Sequence, residues 1–204
     1  MKTVGQFATR LPSLIGALGL MGACSLPALA DDAHAHVPSA QSEASTPDQK
    51  RRASALLEIV RDATRRFKEV SEAESEGYGL MFGCVSGESD GAMGLHYVNQ
   101  YLLNQGKVDA TRPQIVIYEP MPDGHLRLIG ADYLVFKDAW DAHHKTPPQL
   151  MGQAFHLFDA PNRFRLDAFY TLHVWAWKDN PNGAFVNWHP NVSCESFVDP
   201  NPSP

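Results

Sequence analysis

The stretch QIVIYEPMPDGHLRLIGADYLVF, residues 114–136, decides the fold. Its first part, Ile115 to Glu119, is rich in the β-branched and aromatic residues that favour strands. Pro122-Asp123-Gly124 then predicts a turn, because proline presets φ and glycine tolerates a positive φ. Leu126 to Phe136 returns as a second apolar run. The segment therefore predicts a β-hairpin and, with it, antiparallel pairing.

Outward from this hairpin, the sequence continues to indicate strands. Met93 to Val98 follows a glycine-rich loop, and residues 153–158 form a short candidate strand. Phe169 to Trp177 is the most apolar run of the domain, and its apolar positions do not alternate, which is typical of a central strand covered on both faces. These runs predict a mainly antiparallel sheet. Their periodicity does not distinguish an open sheet from a small barrel.

Upstream of the strands, residues 47–75 have the pattern of an amphipathic helix, with a break near Ser71 as an alternative. Thr46 suits the N-cap, Pro47 suits the first helical position, and Gln49 completes a T-x-x-Q capping box. Apolar residues recur at helical spacing from Ala53 to Val70, and charged residues occupy the remaining surface. The predicted fold class is therefore α+β, with one N-terminal amphipathic helix packed on a mainly antiparallel sheet or small barrel.

The N-terminal residues have the features of an export signal. Lys2 and Arg10 make a positive n-region, an apolar stretch follows, and Ala28-Leu29-Ala30 fits an A-x-A cleavage site. A lipoprotein anchor at Cys24 is the alternative. We therefore predict a periplasmic or secreted protein with four parts: a signal peptide (1–30), a disordered leader (31–46), a single globular domain (47–198) and a flexible tail (199–204).

The charge balance excludes two classes of partner. The chain has 17 basic and 23 acidic residues, and cleavage after Ala30 removes two of the basic ones. A domain this acidic is a poor candidate for binding nucleic acid or anionic lipid. Beyond the signal, no apolar run approaches the length of a transmembrane helix, so we predict no integral membrane span. The sequence does not predict the oligomeric state.

Cys84 and Cys194 are the two cysteines that remain after the signal is removed. An even pair in an exported chain predicts a disulfide bond. The bond would close a loop of roughly a hundred residues, which stabilises by at most about 4–5 kcal/mol in the chain-entropy treatment. The alternative is a pair of thiolate ligands to a metal.

The candidates for chemistry are polar residues inside apolar strands. The sequence has no G-x-S-x-G elbow, P-loop, H-E-x-x-H motif or paired C-x-x-C. Four residues stand out instead: His96, Glu119, Asp132 and His173. An acid on an apolar face must be ion-paired, hydrogen-bonded or metal-bound, because burying a lone charge costs several kcal/mol.

If these four residues converge, two imidazoles and two carboxylates suit a divalent transition metal ion. Without a metal, they suit a proton-transfer site in a ligand pocket. The alternative is four separate structural residues. Five aromatic residues are candidate walls of such a pocket, or plain core: Tyr97, Tyr118, Tyr170, Trp175 and Trp177.

Three segments resemble an uncharacterised family of exported bacterial proteins. They are GCVSG through GAMGLHYVN (residues 83–99), YEP through LIGADY (118–133) and LHVWAW through NP (172–181). The resemblance covers roughly residues 55–195 and implies a shared fold and export, but no reaction. Members of that family tend to carry Glu where Asp132 stands, so this chain keeps the carboxylate with a reach shorter by one methylene.

Three functions remain open at this point. The first is a binding protein for a small-molecule ligand or a divalent metal, with the four polar residues in an aromatic pocket. The second is a metal-dependent enzyme that uses the same site, with His96 or His173 as ligand or base. The third is a structural or assembly protein whose buried polar groups only specify the fold.

Overall fold

The structure, a computed structural model, describes residues 46–199. The predicted signal peptide, residues 31–45 of the predicted leader and residues 200–204 of the predicted tail lie outside the described residues. Helices and a mainly antiparallel sheet make up the described part. The predicted α+β class is therefore confirmed at that level.

The helices lie early in the chain or are short. Thr46 caps the first one: its hydroxyl accepts from the N–H of Gln49, and the Gln49 side chain accepts from the N–H of Thr46. The predicted helix over 47–75 is divided, because Glu69 has an extended backbone and follows a 3-10 turn. The bounds are α1 (Pro47–Thr64), the 3-10 turn (Arg65–Lys68), α2 (Val70–Ser75), α3 (Gln100–Asn104) and α4 (Lys137–Asp141).

Six strands form one sheet in the order β1-β2-β3-β4-β8-β7, with every pair antiparallel. The sheet is open, so the barrel alternative does not hold for the described residues. The predicted hairpin is the β3–β4 pair, and β5 and β6 form a separate two-stranded pair. The strands are β1 (Tyr78–Ser86), β2 (Ala92–Asn99), β3 (Ile115–Pro120), β4 (Leu126–Phe136), β5 (Gln149–Leu150), β6 (Gln153–Ala154), β7 (His156–Phe158) and β8 (Phe169–Val174).

Helices cover one face of the large sheet, here called the helix face. Leu56 and Val60 of α1 are fully buried among Tyr133 and Leu172 of the central strands. Next to them, Phe67 of the 3-10 turn packs in a cluster with residues of β2 and β3. The side chains of one strand point alternately to opposite faces. The residues between these buried apolar ones therefore point to the other face.

Irregular chain covers that other face, here called the site face. The loop after β7 contributes Phe164, and residues 175–199, here called the C-terminal cover, contribute Trp175 and Val192. Cys84 of β1 forms a disulfide with Cys194 of the cover. The predicted disulfide is confirmed, and the alternative of thiolate metal ligands is wrong.

Within residues 46–199, no helix is both long enough and apolar enough to cross a membrane.

Candidate metal centre

Three of the four predicted polar residues meet on the site face. His96 lies on β2, Asp132 on β4 and His173 on β8. Asp132 and His173 are direct cross-strand partners, and Ile115 of β3 pairs with Asp132 on its other side. The three polar side chains are buried, with between 2 and 5% of each residue exposed. Among the described residues, they form the one group of three or more potential metal ligands.

The distances within this group are short. Nε2 of His96 lies 3.4 Å from Nε2 of His173, and Nδ1 of His173 lies 3.7 Å from Oδ1 of Asp132. One ligand atom from each residue lies within 4.8 Å of the other two. Among the His, Cys, Asp and Glu side chains of residues 46–199, no other joins the group, so this part of the chain offers three such ligands here.

Hydrogen-bond partners orient the His96 ring. Its Nδ1 lies 3.2 Å from the carbonyl oxygen of Gly94, which only accepts, so Nδ1 carries the hydrogen and donates. Burial, together with the nearby His173, lowers the pKa of His96 to about 4. The ring is therefore neutral near pH 7, and its Nε2 presents a lone pair towards His173.

The His173 ring has oxygen neighbours on its Nδ1 side. Burial lowers the pKa of His173 to about 3, and the Asn187 carboxamide acts in the opposite direction. Nδ1 of His173 and Oδ1 of Asn187 are both buried, and neither has a hydrogen-bond partner among the described residues. A hydrogen on Nδ1 suits the oxygens of Asp132 and Asn187, and this tautomer leaves a second lone pair on Nε2.

Several donors hold the Asp132 carboxylate in place. The Thr171 hydroxyl donates to Oδ1 at 2.5 Å, and the backbone N–H groups of Tyr133 and Leu172 donate as well. Burial nevertheless raises the pKa of Asp132 to about 6, because these donors and His96 offset only part of the desolvation. A bound cation would favour the charged carboxylate.

A narrow apolar cavity leads to the three side chains. The volume that the centre of a water molecule can reach inside this cavity is about 20 Å³. This is enough for one water molecule or one ion beside the ligands. Its mouth is at Phe82, which is 37% exposed, while Phe169 is buried deeper. Apart from the three ligands and Thr171, apolar side chains line it, above all Phe82, Phe158, Phe164, Phe169, Leu134 and Leu166.

Glu119, the fourth predicted site residue, is not part of this group. It pairs with Arg127, whereas Ile115 of the same strand pairs with Asp132. The four steps along the strand from Ile115 to Glu119 span about 13 Å. Its carboxylate is bound by Lys178 at 2.8 Å and by the guanidinium of Arg127, so it serves an ion-pair cluster instead.

The five predicted pocket aromatics lie elsewhere. Tyr97 and Tyr118 pack in the cluster around Phe67 on the helix face. Tyr170 and Trp177 contact the α1 cluster, and the Trp177 indole donates to the Thr64 hydroxyl. Trp175 lies nearest the group, stacked on the His173 ring with centroids 5.9 Å apart, but does not line the cavity.

Other residues, missed from the sequence, complete the site. Thr171 precedes His173 by two positions in the same strand, so the two side chains share a face. The alternation of side chains along a strand is therefore the signal that could have identified Thr171. Phe158 and Phe169 are cross-strand partners of β7 and β8 with stacked rings. Phe164 and Asn187 lie in irregular segments, where no periodic signal marks them.

The two imidazoles have the spacing of a shared metal ion. Two nitrogens that bind one tetrahedral Zn²⁺ at its usual bond length lie about 3.3–3.4 Å apart. The observed separation of the two Nε2 atoms is 3.4 Å. With the tautomers above, two lone pairs face each other across this gap in a dry interior, which is unfavourable unless a cation lies between them. The arrangement therefore suits a metal ion or a shared proton.

Comparison with protein-family models, curated proteins and solved structures finds no match for this chain. The functional argument therefore rests on the geometry of His96, Asp132 and His173.

Proposed function

We propose that this protein binds a divalent transition metal ion, with Zn²⁺ as the best chemical fit, through Nε2 of His96, Nε2 of His173 and the carboxylate of Asp132. The observation that carries the proposal is the 3.4 Å separation of two buried Nε2 atoms whose partner nitrogens face oxygens. Imidazole and carboxylate are ordinary Zn²⁺ ligands.

The number of ligands supports a working site over a closed structural one. Structural zinc sites use four protein ligands, whereas catalytic sites use three and keep one position open. Here three side chains are available, and the cavity approaches them from the Phe82 side. The fourth position therefore faces a route to solvent and takes water or a small ligand.

We also propose that the centre operates outside the cytoplasm. Two features support this location: the signal-like residues 1–30 and the Cys84–Cys194 disulfide, a bond typical of oxidising compartments. Expression of the full chain in a bacterium with fractionation tests it. The intact mass of the periplasmic protein should correspond to a chain that begins at Asp31 and has no free thiol. A mass that retains residues 1–30 would contradict the proposal.

Metal content is the direct test. The full chain, without a histidine tag, should retain about one equivalent of Zn²⁺ after dialysis against Zn²⁺ and removal of excess, as measured by elemental analysis. Metal that binds the folded state alone also stabilises it, by about 2.7 kcal/mol at a free concentration one hundred times the dissociation constant. Melting curves at rising Zn²⁺ concentration provide that second readout.

Matched variants separate this site from surface binding. His96→Gln and His173→Gln should lose the metal and the melting-temperature increase. His143→Ala combined with His144→Ala removes an exposed histidine pair and should keep both. Retention of metal by both buried-site variants, or its loss from the surface variant alone, would contradict the proposal.

A metal-free pocket is the second candidate, since a proton shared by the two Nε2 atoms also fits 3.4 Å. In that case the wild type stays metal-free, and nitrogen NMR of the two rings shows one Nε2–H between them. The third possibility, a purely structural role, predicts neither metal nor any response of these rings to added small molecules.

A further inference from the structure

Charge within the cavity indicates what occupies the open metal position. Among the described residues that line it, Asp132 is the one with a formal charge, and a histidine binds a metal ion through its neutral ring. A divalent ion bound by this set would leave a net charge of +1. An unbalanced charge in a dry, apolar cavity is costly. A last ligand with a single negative charge would balance the ion.

The cavity walls describe the rest of that ligand. Phe82, Phe158 and Phe164 stand between the metal position and solvent. Thr171, the remaining polar lining group, already donates to Asp132. Within residues 46–199, the walls therefore offer apolar contact but no free hydrogen-bond donor on a side chain for a hydroxyl-rich or charged body.

Phe82 has an unusual backbone at the mouth of the cavity. It has a φ of +68° and lies in a bulge of β1, where the pairing with β2 skips from Met81 to Cys84. A positive φ in an aromatic residue is strained, and such strain is retained where a structural or functional requirement maintains it. The bulge turns the Phe82 ring against Phe164, edge to face, with centroids 5.4 Å apart.

We propose that the open metal position binds a small monocarboxylate whose apolar tail lies against the phenylalanine rings at the mouth. This inference rests on the proposed metal centre. The carboxylate would balance the charge of the ion, and the tail would replace water against Phe82 and Phe164. The room beside the ligands is about that of one water molecule, so only the carboxylate head enters it and the tail stays at the mouth.

Cobalt makes the test specific to the metal position. The full chain loaded with Co²⁺ is titrated with sodium acetate, butyrate, hexanoate and benzoate, and ligand binding is followed by the visible absorption of the ion. Affinity should rise by about fourfold for each added methylene that becomes buried. Butyramide and butylamine, which lack the negative charge, should leave the spectrum unchanged.

A pair of variants tests the contribution of the tail. Phe82→Gly removes the ring and suits a φ of +68°, so the protein should fold and still bind acetate, but lose most of the gain from acetate to hexanoate. Leu157→Ala changes an exposed apolar residue outside the cavity lining and should bind like the wild type.

The outcomes separate this inference from the metal proposal. Failure of Co²⁺ to bind, measured by elemental analysis, overturns both. Stoichiometric Co²⁺ whose spectrum responds to azide but to no carboxylate overturns the ligand assignment alone. Equal affinity for acetate and hexanoate, or an unchanged tail dependence in Phe82→Gly, overturns the role of the phenylalanine mouth.

Discussion

Oδ1 of Asn187 and Nδ1 of the neighbouring His173 are both buried, and neither has a hydrogen-bond partner within residues 46–199. Buried polar atoms without partners are uncommon in folded proteins. If the proposed metal ion binds, this donor and this acceptor are placed to meet. Bound metal would keep the His173 hydrogen on Nδ1 and so favour donation to Asn187.

We therefore expect Asn187→Leu to lower Zn²⁺ affinity by about 10- to 100-fold, the usual effect of removing a partner of a metal-binding histidine. Competition with a chromophoric chelator measures the change. Asn182→Leu, at an exposed position in the same cover, serves as the control and should keep wild-type affinity. An affinity loss of the same size in both variants would point to general damage to the cover.

Glu119 belongs to a different interaction, an ion-pair cluster that ties the cover to the sheet. Lys178, which precedes the cover's turn, donates to both carboxylate oxygens and also to the backbone oxygen of Asn191. Burial raises the pKa of Glu119, but hydrogen bonds from Lys178 and Arg127 outweigh it, so the net pKa is lowered. The cluster therefore stabilises the folded state only while Glu119 is charged.

The sign of the pH effect follows from that lowered pKa. The contribution of Glu119 is fully present above its unfolded pKa, about 4.3, and is lost as the pH falls through the folded value. Glu119→Gln should reduce the free energy of unfolding at pH 7 by about 1–3 kcal/mol, the range for hydrogen bonds to a charged group. Urea unfolding of both proteins should show this difference shrinking below pH 4. Glu58→Gln, an exposed change on α1, should show no such pH-dependent difference.

At the scale of elements, β2 depends on Gly94 to bring His96 to its place. Gly94 has a φ of +91°, and a Cβ there would lie 2.5 Å from the backbone oxygen of Tyr118 on β3. Its own carbonyl oxygen accepts from His96 Nδ1. The glycine thus allows two strands to approach closely and also orients a proposed ligand.

Gly94→Ala should therefore cost about 2 kcal/mol or more of folding free energy, from backbone strain together with the steric contact. It should also weaken Zn²⁺ binding, because β2 must shift. Gly106→Ala is the matched control: φ is +60° there, and no atom lies within 4 Å of the added Cβ. Thermal unfolding and Zn²⁺ titration of both variants decide the matter, and equal losses would show that the contact with β3 is unimportant.

The hairpin and the disulfide are the parts of the fold that the sequence predicts most directly. The hairpin of residues 114–136 could be predicted because its β-formers and its turn are local features. The disulfide could be predicted because only Cys84 and Cys194 remain after the signal. Local propensity and counting need no knowledge of which strands are neighbours.

Predicting the site, in contrast, required knowing which strands are neighbours and in which register they pair. Within the sequence, Glu119 and Asp132 are alike: each is an acid beside apolar strand residues. Only the register of β4 against β8 puts Asp132 opposite His173, and a bulge after Ile117 offsets the rest of the hairpin. The aromatic walls could not be predicted either, because Phe164 comes from a loop without periodicity.

At the scale of the whole molecule, the sheet lies between two unlike layers. On the helix face, α1 and the 3-10 turn pack against the sheet through side chains such as Val60 and Phe67. On the site face, the covering chain has little regular structure, and the isolated bridge between Ala92 and His189 is one of its few backbone pairings with the sheet. The proposed centre thus lies under the layer that depends most on side-chain contacts and on the disulfide.

The disulfide should therefore affect stability and metal binding together. Cys84 and Cys194 are 110 residues apart, and a loop of that size predicts a loss of up to about 4–5 kcal/mol when the bond is removed. Because Asn187 and Trp175 of the cover lie against His173, the looser cover should also weaken Zn²⁺ binding. Urea unfolding and Zn²⁺ titration of the Cys84→Ala/Cys194→Ala variant measure both effects.

Chemical reduction provides an independent way to break the bond. The wild-type protein is reduced, alkylated at both cysteines and exchanged into metal-free buffer before the Zn²⁺ titration. If either form unfolds at a lower urea concentration yet binds Zn²⁺ with unchanged affinity, the cover stabilises the fold without supporting the centre, and the assigned role of Asn187 would fail with it.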